Sequence, residues 1–517
     1  MIKADNGVIH IASGETSYVI GQKNGMPVNL WFGNRIEPDD DLYSLGVECA
    51  EEVFVTSPDG TPVVFALSNA AVTDKPKPLR GVPTLRGDET LELTLTSDVG
   101  VEAKLYYTPY TRGGIARRAV VTNVSRAPIS LRVPSGAFGV PSKCGEFCGD
   151  GKKSVGYSVV KTVVGAYAYL TLFDGAALCA DIPVTLDAGE SFYAPETLAV
   201  FSDIGADGAT RALHDVLREY FLPVCYEDKC ALVALELSKR DASRLAESAD
   251  PFDLGADVIV APSDCDVQTL VAAAKNCRAR AMKFGLRAER SGATFADGLR
   301  SLVSATGAEY VCISDGTRRT YSDKREFYSL LEELATELPS VILRVGFCDV
   351  GALNYVTGIF AGRDGSQTKH CLPLGAVCAS IARGGKLGLK EKFDRASVYC
   401  PSYEYDEAFS GEGMRRAVRA QTVMYKQNRA LIVSGDLYCD GSYISAVAKD
   451  KSRAYSVYVS DGRNRVRFVG LDRHELYRLR ETGRVYSGAA LANIGIDVSD
   501  VQKNSTVGFT VHREVDR

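Results

Sequence analysis

The run EYVCIS (309–314) has the character of a buried strand and opens directly into Asp315 and Gly316. A carboxylate at such a strand mouth is where an α/β enzyme often keeps a nucleophile or a general acid. The plainer role for Asp315 is a turn or N-cap aspartate ahead of TRRTYS (317–322). Arginine is the second chemistry-bearing type here. Arg287, Arg290, Arg318, Arg319, Arg344 and Arg363 fall at or near the ends of apolar runs. Such a cluster suits carboxylate or phosphate groups. Singly, each reads as a surface arginine with a local acidic partner. Metal chemistry has little to stand on. His10, His214, His370, His474 and His512 are scattered, and Cys144 and Cys148 in CGEFC lack a second pair at similar spacing. No metal or cofactor is expected.

Three patterns must position these residues. Residues 1–225 read as β-rich. TPVVFAL, ETLELTLTSD and VEAKLYYTPY alternate with turn residues, and RRAVVTNVSRAPISLRV (117–133) reads as a hairpin turning at Asn-Val-Ser-Arg. This predicts an N-terminal β-sandwich. ATRALHDVLREYFL (209–222) carries an apolar stripe at helical spacing and links this region to the next.

Between 226 and 430, apolar runs alternate with helical segments. CALVALEL (230–237), DVIVAP (257–262), KFGLRAE (283–289), EYVCIS and SVILRV (340–345) read as strands. YVTGIF (355–360), KHCLPLG (369–375) and ASVYCP (396–401) supply three more. DVQTLVAAAKNCRARA (266–281) and SDKREFYSLLEELATEL (322–338) read as helices, the second with Asp323 and Glu326 near its start. Eight such units predict a (β/α)8 TIM barrel. Residues 431–517 turn β-rich again, with YISAVAKD, RAYSVYVSD, NRVRFVGLD and STVGFTVH alternating well. They predict a C-terminal antiparallel β-sandwich.

The 517 residues are 45% hydrophobic and 24% charged, with a net charge of −5. That mild acidity argues against a nucleic-acid or anionic-membrane surface. MIKADNGVIH has no long apolar run behind it, and no 18 apolar residues occur in a row. Cytoplasm is the expected compartment. Cys179, Cys312, Cys371 and Cys378 sit inside apolar runs and read as packed, reduced thiols.

Specific motifs join this order of regions. LWFGNRI (30–36), RRAVVTN (117–123), MKFGLRAE (282–289), FCDVGALNY (347–355) and SYEYDEAF (402–409) appear in turn. YKQNRALIVSGDLY (425–438), GLDRHELYRL (470–479) and YSGAALANIGI (486–496) follow. In these motifs and their order the chain resembles the bacterial α-galactosidases related to raffinose- and melibiose-hydrolysing enzymes, in clan D of the glycoside hydrolases. The resemblance implies a supersandwich-like N-terminal domain, a central barrel and assembly into homo-oligomers. It also implies a retaining mechanism. One aspartate at the end of the fourth barrel strand attacks the anomeric carbon, and another after the sixth protonates the leaving oxygen.

The matched positions depart from that pattern. The family's fourth strand, Asp-Tyr-Ile-Lys-Trp-Asp, aligns with residues 309–314 and places Ser314 where the nucleophile stands. The sixth, Ile-Trp-Thr-Ser-Asp, places Arg363 where the acid stands. Asp315 and Asp364 each come one residue late, and in a strand that slip turns a side chain to the other face. The family's Asp-Asp-Gly-Trp becomes Ala261-Pro262-Ser263-Asp264, and the chain holds one Trp, Trp31. Lys283, Glu289 and Asp349 keep family-like types and, with Arg344, are the ligand-binding candidates. The leading expectation is a scaffold that has lost hydrolysis and binds a carbohydrate. One alternative is an active α-galactosidase using Asp315 and Asp364. Another is an enzyme or binder for acidic or phosphorylated sugars at an Arg-rich barrel mouth.

Overall fold

The structure is a computed structural model. It describes residues 1–517 except 6, 38–41, 43, 46–49, 53–54, 112, 135–145, 148–156, 163–164, 174–180, 246–249, 317–319, 347–349, 361–371, 383–386, 406–410, 441 and 515–517. Two compact units are present, Met1–Leu222 with Asp349–Asn354, and Pro223–Cys348 with Tyr355–Arg517.

In the first unit, a five-stranded antiparallel sheet runs in sequence order from Ile2–Asp5 to Ala50–Glu51. A nine-stranded sheet and a two-stranded one follow. The strands Glu89–Ser97 and Val101–Pro109 alternate buried and partly buried positions over part of their length, as a sheet with one face on a core requires. The hairpin expected over 117–133 does not form. Its turn is present, with the Asn123 side chain accepting from the Ser125 amide at 2.9 Å. Its strands, however, belong to different sheets. Gly114–Asn123 pairs with Val101–Pro109 on one side and with Ser191–Tyr193 and Thr197–Ser202 on the other. That leaves no free edge, so Ile129–Pro134 pairs with Asp181–Leu186 instead. The linking helix spans Ala206–Val216 and continues as a π-helical turn, Leu217–Phe221.

The second unit contains a closed barrel of eight parallel strands. They are β1 (Ala234–Glu236), β2 (Val258–Pro262), β3 (Lys283–Glu289), β4 (Tyr310–Ser314), β5 (Ile342–Val345), β6 (Gly358–Phe360), β7 (Val377–Ile381) and β8 (Cys400–Glu404). Two strands differ from the sequence reading. KHCLPLG does not supply β7. Pro373 instead caps a 3-10 turn at Leu374–Ala376, and the next run, VCASI, becomes the strand. A Cβ on Gly375 would meet the Tyr226 hydroxyl at 2.6 Å, so this turn packs too closely to be extended. ASVYCP contributes only its end, because the helix Leu389–Ala396 runs up to it and β8 starts at Cys400.

Local signals fix the helices that surround the mouth. Val267–Ala279 is capped by Asp266, which accepts from the Thr269 amide at 2.9 Å. Phe295–Thr306 ends at Gly307, which takes the left-handed conformation (φ 62°) that turns the chain into β4. Tyr321–Glu337 begins with a capping box in which Thr320 accepts from the Asp323 amide and Asp323 accepts from the Thr320 amide.

The long helix Glu412–Ser434 leads from the barrel into a six-stranded antiparallel sheet. Its core gathers Tyr443, Tyr458, Tyr477 and Phe509 with Val466 of a two-stranded ribbon and Leu491 of the helix Gly488–Asn493. The sandwich is thus one sheet covered by a ribbon and a short helix. Polar contacts bind it to the barrel helices, with Thr506 donating to Asp394 at 2.7 Å and Ser397 meeting Tyr455 at 2.6 Å. Among the described residues, no helix is long and apolar enough to cross a membrane.

Removing the Thr320 cap leaves the Asp323 amide without its partner. Thr320→Ala is expected to lower stability by about 1 kcal/mol in urea unfolding followed by circular dichroism.

Candidate functional site

Period-two alternation sorts the barrel side chains into an inner and an outer set. On β4, the Tyr310 ring lies 5.4 Å from the Arg344 guanidinium of β5, which marks Tyr310, Cys312 and Ser314 as the inner set. Gly285 on β3 makes room for that ring, since a Cβ there would stand 2.8 Å from it. Val311 and Ile313, with no exposure, belong to the outer set.

Asp315 follows Ser314 and is 2% exposed. Its carboxylate takes the Arg290 guanidinium at 2.9 Å, and the same guanidinium reaches Glu326 on the helix Tyr321–Glu337. The Arg290 amide also donates to the Ser314 carbonyl at 2.8 Å. Asp315 therefore ties the end of β3 to the end of β4 and to the outer helix. It is neither the expected N-cap, which is Thr320, nor a carboxylate open to a substrate. Ser314 lines a cleft of about 830 Å³ over the C-terminal ends of β1–β4. Lys239, Asp264, Arg287 and Glu289 border this cleft, and Phe295 and Leu299 supply an apolar wall. Lys239 and Asp264 pair at 2.6 Å.

The inner faces join Arg287 to groups that sequence reasoning did not single out. Glu236 on β1 accepts from Arg287 on β3 at 2.8 Å and from Ser402 on β8 at 2.6 Å. β1 and β3 are not neighbours, so the first bond crosses the interior. Glu404 on β8 stands opposite Glu236 in register and accepts from Ser380 on β7 at 2.9 Å. Burial first, and then the Glu236 carboxylate, push the Cys312 thiol up to about 12, so it stays neutral. The signal for Glu236 was available, because an acid inside the buried run CALVALEL must find an inward partner.

The four ligand-binding candidates separate. Glu289 is exposed at the end of β3 and borders the cleft. Lys283 opens β3 at the opposite, N-terminal end of the barrel, where its ammonium meets Glu309 at 3.4 Å. Arg344 is 1% exposed inside the barrel, and its guanidinium donates to the Cys378 sulfur at 2.6 Å. Its strand is short and Arg344 is its third residue, so it packs in the interior instead of reaching the mouth. Asp349, Asp364, Arg363, Arg318 and Arg319 lie outside the described residues. So do Cys144, Cys148, Cys179, Cys371 and His370. Among the described residues, no group of three His, Cys, Asp or Glu is placed to hold a metal ion.

Removing Arg290 would take away the guanidinium that pairs with the buried Asp315 carboxylate. Arg290→Met is expected to cost about 3–5 kcal/mol in denaturant unfolding. Adding Asp315→Asn should recover part of that loss, giving a clear coupling energy in the double-mutant cycle.

Residues 442–509 match the model of the glycosyl hydrolase family 36 C-terminal domain. No curated protein matches the chain in sequence. Solved structures match it over nearly its whole length. The galactosidase domain of the α-galactosidase–sucrose kinase AgaSK superposes with a TM-score of 0.82 at 16% identity, covering 99% of this chain and 100% of that one. A variant of the family 36 α-galactosidase AgaA from Geobacillus stearothermophilus, in complex with raffinose, gives 0.77 at 16%, covering 98% and 100%. The α-galactosidase from Lactobacillus brevis gives 0.77 at 14%, covering 99% and 98%. At these identities the likeness is one of fold. The chain is α-galactosidase-like, with the multidomain fold of the glycosyl hydrolase family 36 enzymes and that family's C-terminal domain at residues 442–509.

Proposed function

We propose that this chain is a carbohydrate-binding protein on an α-galactosidase scaffold, without the hydrolysis that scaffold carries elsewhere. The observation that supports this most directly is Ser314. It ends β4 on the inner face and lines the cleft, at the place where the resemblance expects the nucleophile. A serine hydroxyl needs an adjacent base to attack, and a retaining glycosidase needs a carboxylate there. Asp315 does not fill the gap, because its carboxylate is buried against Arg290. This also counts against the reading in which Asp315 and Asp364 act as shifted carboxylates.

The cleft favours a neutral sugar. Glu289 is exposed at its edge, and Arg287 is engaged by Glu236. Arg290 is engaged by Asp315 and Glu326, and Arg344 is interior. Among the described residues, then, no observation favours an acidic or phosphorylated ligand. Sugar hydroxyls donating to Glu289, with C–H faces against Phe295, suit the lining.

Two measurements test this. A chromogenic α-galactoside at high protein concentration is expected to show no turnover above background, with Asp315→Asn unchanged. Calorimetry with raffinose is expected to show weak binding that Glu289→Gln reduces about tenfold, the loss of a charge-assisted hydrogen bond. Turnover abolished by Asp315→Asn would overturn the reading.

A further inference from the structure

Arg344 poses a charge problem inside the barrel. Its Nη1 donates to Cys378 on β7, while its Nε and Nη2 are buried without a hydrogen-bond partner. A guanidinium does not lose its proton in a protein. A buried charge without a counter-charge is strongly unfavourable, so an acid beside it must ionise.

The titratable groups around it come from five elements. They are Tyr310 and Cys312 on β4, Cys378 on β7, Cys400 on β8, Tyr425 on the helix Glu412–Ser434, and Cys230 ahead of β1. Glu236, the carboxylate that acts on Tyr310 and Cys312, is already engaged by Arg287 and Ser402. A thiol ionises near 8.5 and a phenol near 10, so the charge falls to a cysteine. Burial holds Cys312 and Cys230 neutral, with both thiols pushed up to about 12.

Cys378 and Cys400 differ from these. They stand directly opposite each other on neighbouring strands, which lie roughly 4.8 Å apart in any sheet. Cys378 accepts from Arg344, and the Cys400 sulfur lies 3.1 Å from the Gly375 carbonyl. We infer that this pair holds one proton in the folded barrel, and that its single thiolate is the counter-ion of Arg344. The barrel interior thus contains a guanidinium–dithiol site. The two sulfurs titrate as a unit. Burial opposes the first ionisation, but the bond between the thiols, the Arg344 charge and the Tyr425 hydroxyl outweigh it and bring it to about 6. Burial, and then the bond to the neighbouring sulfur, push the second far above the ordinary thiol range.

The sign of the pH dependence follows. Between about 6 and the ordinary thiol value of about 8.5, the unfolded chain binds one more proton at this pair than the folded chain. Stability from the site therefore rises with pH through that window, and it falls again above the ordinary thiol value, where the unfolded chain has released both protons and the folded pair keeps one. The unfolding equilibrium constant should fall by up to about tenfold for each unit that pH rises across the window.

The test compares the wild-type chain with Arg344→Met and with the double variant Cys378→Ser/Cys400→Ser. In native wild type, ultraviolet thiolate absorbance equal to one thiolate per chain should appear as pH rises through about 6. It should be absent from both variants, and the added pH slope in urea unfolding should vanish with it. Native wild type without that absorbance below the ordinary thiol range overturns the inference, whether or not either variant folds. The same absorbance persisting in Arg344→Met would also overturn it.

Discussion

A closed eight-stranded barrel gives each strand two faces and its interior little room. That constraint governs every chemical feature of this protein. A residue on the inner parity can meet a ligand or another inner side chain, and its neighbour cannot. Ser314 and Asp315 differ by one position, and everything else about them follows. The serine borders the cleft, while the aspartate is drawn to Arg290 and Glu326. Once that ion pair is buried, turning the aspartate inward would break its bond to Arg290. The packing that stabilises the scaffold is what keeps the carboxylate out of the site.

The same constraint shapes the inner charges. Glu236, Arg287 and Ser402 satisfy one another across the mouth, on β1, β3 and β8. Arg344 finds sulfur in place of a carboxylate. Neither arrangement resembles a pair of carboxylates facing each other across a scissile bond. Both resemble a core that has balanced its buried charges internally.

Much of the fold was legible because its signals are local. β3 matched its run residue for residue, and the early acids Asp323 and Glu326 pointed to the helix Tyr321–Glu337, expected over 322–338. The failures were non-local. Nothing within RRAVVTNVSRAPISLRV says that Gly114–Asn123 already has partners on both edges. Nothing within KHCLPLG says that Gly375 packs against Tyr226. The site was less legible for the same reason. Parity exposed the slip at Asp315, but the partner that holds Asp315 lies on another strand. Lys283 and Arg344 had the right types for ligands, yet one opens its strand at the far end and the other lies inside.

Separating fold from chemistry in this way has a physical basis. The contacts that define the architecture are spread over many residues, including a C-terminal core built from aromatic and aliphatic side chains. Each can change a little without loss of the whole. Hydrolysis rests on two carboxylates acting as a unit, and removing one forfeits most of the rate. A chain at 16% identity to the galactosidase domain of AgaSK can therefore still superpose on it along nearly its full length. The likeness reports the distributed contacts, and the proposed loss of hydrolysis rests on Ser314. Where the two disagree, the side chain at the strand mouth is the better guide to what the protein does.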